Sequence, residues 1–342
     1  DAGRTLREEL GIEPSRQLRD LESAILAHEP SLEAPAPPAP PVPAPSPAAP
    51  VPPAAAQRRP GPALIGRDHE LDTLLAALDE STADARFVVI EGEPGIGKTR
   101  LTDELRGLAE SRGAIAVWGR SDEGGAAPAL WPWLAPLRAI AAGAGGAAPA
   151  AVTHLLSGEA PVHAGQERSA QFERFEAVAA LLEDVAARRP VVILLDDLQW
   201  ADGTSLELLS FLAGRLRGGV LVAGTMRQLE VGRNDAVTDA LAAIARRPGS
   251  RRIQLRGLTS AATAAVLDAT TDTVIPAAVA ATIHARAEGN PFYAIELSRL
   301  VDEEGGIAGE VPATVGDVVR RRLARLPQAT VDLLGVAAVV GR

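Results

Sequence analysis

The eight residues from Gly92 to Thr99 constrain the fold of this chain more than any other segment. They read Gly-Glu-Pro-Gly-Ile-Gly-Lys-Thr and match the pattern G-x-x-x-x-G-K-[ST]. In this pattern backbone amides cradle phosphates, the lysine reaches the terminal phosphates and the hydroxyl group binds Mg²⁺. Lys98 is the only lysine among 34 lysine and arginine residues, so a compact ammonium stands where a planar guanidinium fits poorly. The segment predicts a nucleotide-binding loop.

The residues on either side of the loop favour this interpretation over a chance match. Phe87–Ile90 is a short apolar and β-branched run that is typical of a buried strand. Leu101, Leu105 and Leu108 recur at helical spacing directly after the loop. A strand, a glycine-rich loop and a helix N-terminus in this order form a concave anion site.

Composition excludes several other classes of site. The chain has no cysteine, which removes disulfides, thiolate metal sites and cysteine nucleophiles. Its net charge of −10 argues against a main nucleic-acid surface within these 342 residues. No signal peptide and no apolar run of membrane-spanning length is evident, so we expect a cytoplasmic protein that does not contact a membrane.

Proline and alanine dominate residues 34–56, where no residue is charged. Such a segment cannot form a core and is typical of a semi-rigid polyproline II spacer. We therefore predict a linker over residues 33–62, with a short helical fragment over residues 1–32 before it. A ligand for a proline-binding domain is the alternative interpretation.

Alternating strands and helices follow the linker and predict a parallel α/β fold over residues 63–256. From Leu258 onward the strand pattern stops, and residues 257–310 are expected to be all helical. The candidate strands are Phe87–Ile90, Ala114–Trp118, Val191–Leu195, Val220–Thr225 and Arg252–Leu255.

Two acidic residues end the third candidate strand. The apolar run Val191–Leu195 leads directly into Asp196 and Asp197. A buried strand whose carboxyl end opens into a ligand crevice has this appearance. Asp196 is placed to hold Mg²⁺, and Asp197 to orient or deprotonate the attacking water. The alternative is that both acids merely begin a surface turn.

One arginine follows the fourth candidate strand. Arg227 comes directly after Val220–Thr225 and Met226, so we expect it near the same crevice, where it could sense a γ-phosphate. The alternative is a solvated arginine at a strand end, since arginine is abundant in this chain. Together with Lys98 and Asp197, Arg227 completes the candidate catalytic set.

These motifs together resemble the STAND class of signalling AAA+ ATPases. The segment Leu198-Gln199-Trp200-Ala201-Asp202 after the acids, and Gly289-Asn290-Pro291-Phe292-Tyr293 later, are similar to that class. Leu64-Ile65-Gly66-Arg67-Asp68-His69-Glu70 is similar to its apolar-apolar-G-R-E-x-E box, with Asp68 in place of the first glutamate.

The resemblance implies a P-loop NTPase core of three layers followed by an all-α lid, with ATP or ADP and Mg²⁺ bound between them. It places Ile65, Gly66 and Arg67 on one side of the base and Pro291 on the other. Thr99 and Asp196 would hold the metal. The phosphate-binding set would comprise Gly92, Glu93, Pro94, Gly95, Ile96, Gly97, Lys98, Thr99 and Arg100.

A second resemblance concerns the two ends of the chain. Leu6–Pro14 with Leu18–Leu21 resembles the last helices of a bacterial transcriptional activation domain, as found in large SARP-type regulators of the AfsR kind. Residues 311–342 resemble the start of a winged-helix element. This implies contacts with DNA and RNA polymerase through domains outside the segment, and self-association on ATP binding.

The two resemblances favour a regulatory switch that binds ATP, hydrolyses it slowly and belongs to a transcriptional activator. Two alternatives stay open at this point. One is an AAA+ motor or loader with continuous turnover; the other is a scaffold in which nucleotide joins two domains and hydrolysis is vestigial. A small-molecule kinase is less favoured, because no site for an acceptor substrate stands out.

Overall fold

The computed structural model describes residues 64–123, 127–143, 150–157, 167–227, 235–271, 274–303, 323 and 326–340. All of the described residues belong to one compact unit. The predicted fragment over residues 1–32, the linker over 33–62 and residues 311–322 lie outside the described residues. Within the described ranges, no helix is long and apolar enough to cross a membrane.

Five parallel strands form a single sheet with the order β2-β3-β4-β1-β5. This order, with a glycine-rich loop between β1 and the next helix, confirms the predicted α/β P-loop architecture. Predicted and observed bounds agree within two residues. The strands are β1 Arg86–Glu91, β2 Ile115–Arg120, β3 Val191–Asp196, β4 Val220–Met226 and β5 Arg251–Gln254.

Helices cover both faces of the sheet and continue after it. A 3₁₀ turn at Leu198–Trp200 follows β3 directly. The described helices are α1 Asp68–Ser81, α2 Lys98–Ser111, α3 Trp131–Gly143, α4 Ala150–Ser157, α5 Glu167–Ala186, α6 Gly203–Arg215, α7 Asp235–Ala245, α8 Ser260–Thr270, α9 Ala277–Ala287, α10 Pro291–Glu303 and α11 Gln328–Val340.

Two interior strands of the sheet, β3 and β4, are completely buried. Successive side chains of a strand point to opposite faces, so Val191 and Ile193 pack with α5 and α6, whereas Val192 and Leu194 pack with α1 and α2. Helices on both faces of a nearly continuous apolar sheet give the predicted three layers.

Helices α8 to α10, here called the helical segment (residues 260–303), have a small core of their own. Leu267, Ile283 and Leu297 are among the seven buried apolar residues of this cluster. The Thr259 side chain accepts a hydrogen bond from the Ala262 amide and begins α8 as an N-cap. The sequence expectation of helices after Leu258 is confirmed over the described part of 257–310.

Candidate nucleotide-binding site

The predicted phosphate-binding loop (residues 92–97), called the phosphate-binding loop below, joins β1 to α2 at the carboxyl edge of the sheet. Gly95 and Gly97 have φ angles of 78° and 103°, a region that residues with a Cβ rarely adopt. Gly97 immediately precedes Lys98, the first residue of α2. The loop therefore leads its backbone into the N-terminus of a 14-residue helix, where unpaired amides and the helix dipole favour an anion.

The Lys98 side chain folds back onto the loop that precedes it. Its Nζ donates to the carbonyl oxygens of Gly92 at 2.8 Å and Glu93 at 2.9 Å. Only 8% of the residue is exposed, and this burial lowers the pKa of its ammonium. The negative charge of Asp197 acts in the opposite direction and favours the ammonium. A buried cation beside carboxylates and loop carbonyls is suited to meeting phosphate oxygens.

Asp196 ends β3 beside the first turn of α2. Its Oδ2 accepts a hydrogen bond from Thr99 Oγ1 at 3.4 Å, and its Oδ1 accepts one from the hydroxyl of Thr225 at the end of β4. Burial raises the pKa of this carboxyl, and the Thr225 hydrogen bond opposes that effect. The structure thus brings together the two residues that the sequence nominated for Mg²⁺.

The donor set at this point suits Mg²⁺. One hydroxyl and one carboxylate are hard oxygen donors, and Mg²⁺ commonly takes one or two such protein ligands with waters and substrate phosphates. Among the described residues, no group of three or more histidine, cysteine, aspartate or glutamate side chains could hold a metal ion. A site built on Thr99 and Asp196 would leave coordination positions for waters and for phosphate oxygens.

Asp197 has an unusual backbone. Its φ of 60° and ψ of 52° lie in the left-handed region, which an aspartate adopts more readily than bulkier residues. The Asp197 amide donates to Thr225 Oγ1 at 3.0 Å, and its Oδ1 accepts from Gln199 Nε2 at 2.9 Å. Its Oδ2 lies 3.8 Å from an Arg120 guanidinium nitrogen. The carboxylate is thus held beside the loop.

Arg227 lies directly after β4, on the same edge of the sheet. Its amide donates to Gln199 Oε1 at 3.0 Å, and its guanidinium carbon lies 6.0 Å from the centre of the Trp200 ring. Its positive charge contributes to the lowered pKa of Lys98. The arginine therefore belongs to the electrostatic environment of the loop, as its position in the sequence led us to expect.

A cavity of about 270 Å³ lies beside the loop. Of the residues expected around the base, Ile65, Arg67 and Pro291 line it, together with Gly95–Gly97 and Arg100 from the phosphate-binding set. Further walls come from apolar side chains of the core and the helical segment. These include Leu64, Leu258, Val266 and Ile295. A flat apolar ring fits a cavity of this chemistry.

Gly66 does not line the cavity but permits a close approach. Its φ is 68°, and a Cβ added there would lie 2.6 Å from the Cβ of Ala262 in α8. This is closer than real Cβ atoms approach one another. Gly66 is therefore the place where the segment before α1 packs on the helical segment.

Arg67 is buried, with 5% of its surface exposed, and three of its five N–H donors have partners among the described residues. The guanidinium donates to the carbonyl oxygens of Ile96 at 3.1 Å and Arg256 at 2.7 Å, and to Glu70 Oε1 at 3.2 Å. The resemblance led us to expect a residue that faces the base. In the structure Arg67 lines the cavity, and its hydrogen bonds also join the phosphate-binding loop to the chain that leads into α8.

The first turn of α10 also contacts the phosphate-binding loop. Asn290 is buried, and its Nδ2 donates to the Pro94 carbonyl at 3.0 Å while its Oδ1 accepts from the Phe292 amide at 3.2 Å. The Phe292 amide also lies 3.4 Å from the Gly95 carbonyl. A Cβ on Gly95 would lie 2.8 Å from the Phe292 Cβ. The helical segment thus packs against the loop backbone itself.

Sequence reasoning did not nominate Thr225, Gln199 or Asn290 as site residues. Thr225 was recognisable in principle, because it ends a strand next to the acids in the sheet. Asn290 precedes Pro291, and an asparagine before a proline is a common start of a helix. Gln199 carries no such signal, because its role depends on two partners that only the fold brings together.

The chain was compared with known proteins. Residues 63–223 match the family model described as the AAA ATPase domain, which is slightly less than half of the chain. An uncharacterized protein of Rhizobium meliloti (strain 1021) is 29% identical over 175 residues, which cover 44% of this chain and 17% of that protein. The chain thus spans less than a fifth of the length of this relative. The matched family segment contains Lys98, Asp196 and Asp197 and ends within β4.

Several solved structures are similar to the chain at low identity. A STAND protein with a tetratricopeptide repeat sensor from Pyrococcus horikoshii is 18% identical, with a TM-score of 0.45, over 81% of this chain and 34% of that one. The ORC2 protein of Aeropyrum pernix is 14% identical, with a TM-score of 0.46, over 84% of this chain and 78% of that one. The chain therefore spans about a third of the STAND protein.

Proposed function

We propose that this chain binds ATP with Mg²⁺, hydrolyses it, and uses the bound nucleotide to set the position of the helical segment. One observation carries the proposal. Three successive carbonyl oxygens of the phosphate-binding loop, those of Pro94, Gly95 and Ile96, lie within 3.4 Å of donors outside the loop and α2. Two of these donors, the Asn290 side chain and the Phe292 amide, belong to the helical segment or its cap.

A trans peptide points its N–H and its carbonyl in opposite directions. A loop that turns amides toward phosphates on one side therefore presents carbonyls on the other. Any change in the loop backbone when phosphates bind or leave acts on the carbonyls that Asn290 and Arg67 contact. The helical segment would respond in this way to the γ-phosphate, which is a known design for two-state switches.

The chemistry follows from the residues around the loop. Lys98 and Arg227 supply positive charge to the terminal phosphates, and Asp197 orients the attacking water. Thr99 and Asp196 would hold Mg²⁺, which when bound neutralises charge on the phosphates. The cavity lined by Ile65 and Pro291 receives the base, and we propose adenine on the basis of the STAND resemblance.

We further propose that hydrolysis is slow and that the switch serves a transcriptional activator. The support is the resemblance of residues 1–32 to a transcriptional activation domain and the order of the motifs that follow. DNA and RNA polymerase would be contacted by domains outside this segment. Self-association of the ATP-bound form would follow from the changed position of the helical segment.

The first test identifies the nucleotide that the purified chain carries, by denaturation and chromatography. Retained ADP is expected of a resting switch, and retained unhydrolysed ATP would favour a scaffold. Steady turnover of added ATP without retained nucleotide would favour a motor. Lys98→Ala should lower ATP affinity by at least about tenfold, since it removes the one ammonium at the phosphates. Unchanged affinity would contradict the site assignment.

The second test measures movement directly. The chain has no cysteine, so Glu110→Cys at the end of α2 and Ala281→Cys on α9 give two labelling positions, both exposed. We expect the energy transfer between dyes at these positions to differ between ATP–Mg²⁺ and ADP, and Lys98→Ala to abolish the difference. Equal transfer with both nucleotides, under conditions where both bind, would contradict the switch and leave only nucleotide binding.

A further inference from the structure

We propose that Gln199 is a positioning residue that fixes the orientation of the Asp197 carboxylate and links it to the end of β4 at Arg227. This inference rests on the proposed function, since it assigns Gln199 a part in the same hydrolysis. Gln199 lies in the 3₁₀ turn directly after β3, two residues beyond Asp197. The sequence places Gln199 within the Leu198–Asp202 motif but does not indicate its hydrogen-bond partners.

The two ends of the Gln199 amide are chemically different, and each has a defined partner. Its Oε1 can only accept, and it accepts from the Arg227 amide at 3.0 Å. Its Nε2 can only donate, and it donates to Asp197 Oδ1 at 2.9 Å. Because the Arg227 amide is a donor, the reversed orientation of Gln199 would lose both bonds. The amide therefore has one orientation in which both partners are satisfied.

The Asp197 carboxylate is fixed from two directions by this arrangement. The Asp197 amide donates to Thr225 Oγ1, which holds the left-handed backbone in place. The Nε2 group of Gln199 donates to Oδ1 of Asp197, and this bond restricts rotation of the carboxylate. Oδ2 lies 3.8 Å from the Arg120 guanidinium, which is beyond hydrogen-bond distance. Among the described residues no hydrogen-bond donor is assigned to Oδ2, so this oxygen is able to accept from a water molecule aimed at the phosphate.

The same bond connects Asp197 to the residue proposed to sense the γ-phosphate. A displacement of Arg227 at the end of β4 would shift the Gln199 amide and with it the oxygen that orients the water. Trp200, the next residue in the 3₁₀ turn, lies against the Arg227 guanidinium and shares this connection. Gln199 thus couples a phosphate contact to the position of the water without contacting either.

The test compares Gln199→Leu with a matched glutamine elsewhere. Leucine keeps much of the side-chain volume and removes both hydrogen bonds. Gln171 on α5 also donates from Nε2 to a carboxylate, Glu207 Oε2 at 2.7 Å, so Gln171→Leu is the control. We expect the single-turnover hydrolysis rate of Gln199→Leu to fall at least about tenfold, as expected when a reacting group is misplaced. The dissociation constant for ATP–Mg²⁺ should change less than about threefold, and Gln171→Leu should match the wild type.

A second comparison separates positioning from a general loss of structure. If Gln199 acts only through Asp197, the double variant Gln199→Leu/Asp197→Asn hydrolyses ATP no more slowly than Asp197→Asn alone. A rate of Gln199→Leu within twofold of the wild type would overturn the inference. So would a weaker affinity that accounts for the lost rate, or a double variant slower than Asp197→Asn. If the wild type itself shows no binding that depends on Lys98, the proposed function fails instead.

Discussion

The sheet core and the helical segment are held by different kinds of interaction. In the core, all residues of β3 and β4 are buried, and apolar helices cover both faces. The helical segment has a core cluster of seven buried apolar residues. Its described contacts with the phosphate-binding loop are a few directional hydrogen bonds and one close backbone approach. Under the proposed function, the core stays fixed while the helical segment changes its position with the loop.

Magnitudes support this distinction. Burial of one large aliphatic side chain contributes about 1.5–3 kcal/mol, and the core contains many of them. A typical hydrogen bond contributes only about 0.5–1.5 kcal/mol net. A few hydrogen bonds can be exchanged when phosphates enter or leave. The buried aliphatic contacts of the core cannot be exchanged without unfolding.

The largest effect should come from a matched pair of leucines, one in each region. Leu194 in β3 and Leu267 in α8 are both almost completely buried. Leu194→Ala should cost about 2–5 kcal/mol of unfolding free energy, from lost burial and the cavity left behind. Leu267→Ala should mainly destabilise the helical segment and lower the main unfolding transition less. Denaturant unfolding measures both, and equal costs would mean that the two regions unfold as one cooperative unit.

The next effect concerns the contact between Asn290 and the loop. Asn290→Ala removes a buried donor and acceptor and should cost about 1–3 kcal/mol. Asn290→Asp keeps the acceptor for the Phe292 amide but replaces the donor to the Pro94 carbonyl, so it removes the loop contact and keeps the helix cap. Faster hydrogen exchange in α10 for both variants is expected. Exchange that rises only with alanine would show that the cap, rather than the loop contact, positions the helix.

An effect of similar size is expected where the segment before α1 packs on α8. Gly66→Ala places a Cβ 2.6 Å from Ala262 at a φ of 68°, and the strain should cost about 1–3 kcal/mol. We expect a lower melting temperature and a displaced helical segment in the energy-transfer measurement. A melting temperature equal to the wild type would mean that this approach does not fix the helical segment.

The smallest effect is a control with the opposite sign. Gly107 lies within α2, and a Cβ there would meet nothing within 4 Å. Gly107→Ala should therefore stabilise the core by about 0.5–1 kcal/mol, because alanine loses less freedom in a helix. The position of the helical segment should not change. Thermal unfolding and energy transfer, measured together, separate this gain in the core from any change at the loop.

The sequence was sufficient for the parts of the structure that depend on local pattern. Four of the five strands could be placed because each is an apolar run, and Asp196 because it follows such a run. Strand β5 could be placed because Ile253 and Leu255 alternate with polar residues. The partners of Arg67 and Asn290 could not be predicted, because their hydrogen bonds join residues up to 196 positions apart. The role of Gln199 likewise depends on how β3 and β4 lie side by side in the sheet.

Lys98 has a practical consequence as a chemical handle. Apart from a terminal α-amino group, it offers the only aliphatic amine among these 342 residues. The amine lies on the carbonyl oxygens of Gly92 and Glu93, and burial lowers its pKa. An acylating reagent would therefore label Lys98 as the single side-chain amine, beside any terminal α-amino group. The rate at which mass spectrometry of the peptide that contains Lys98 detects the increment would report how often the loop releases its lysine.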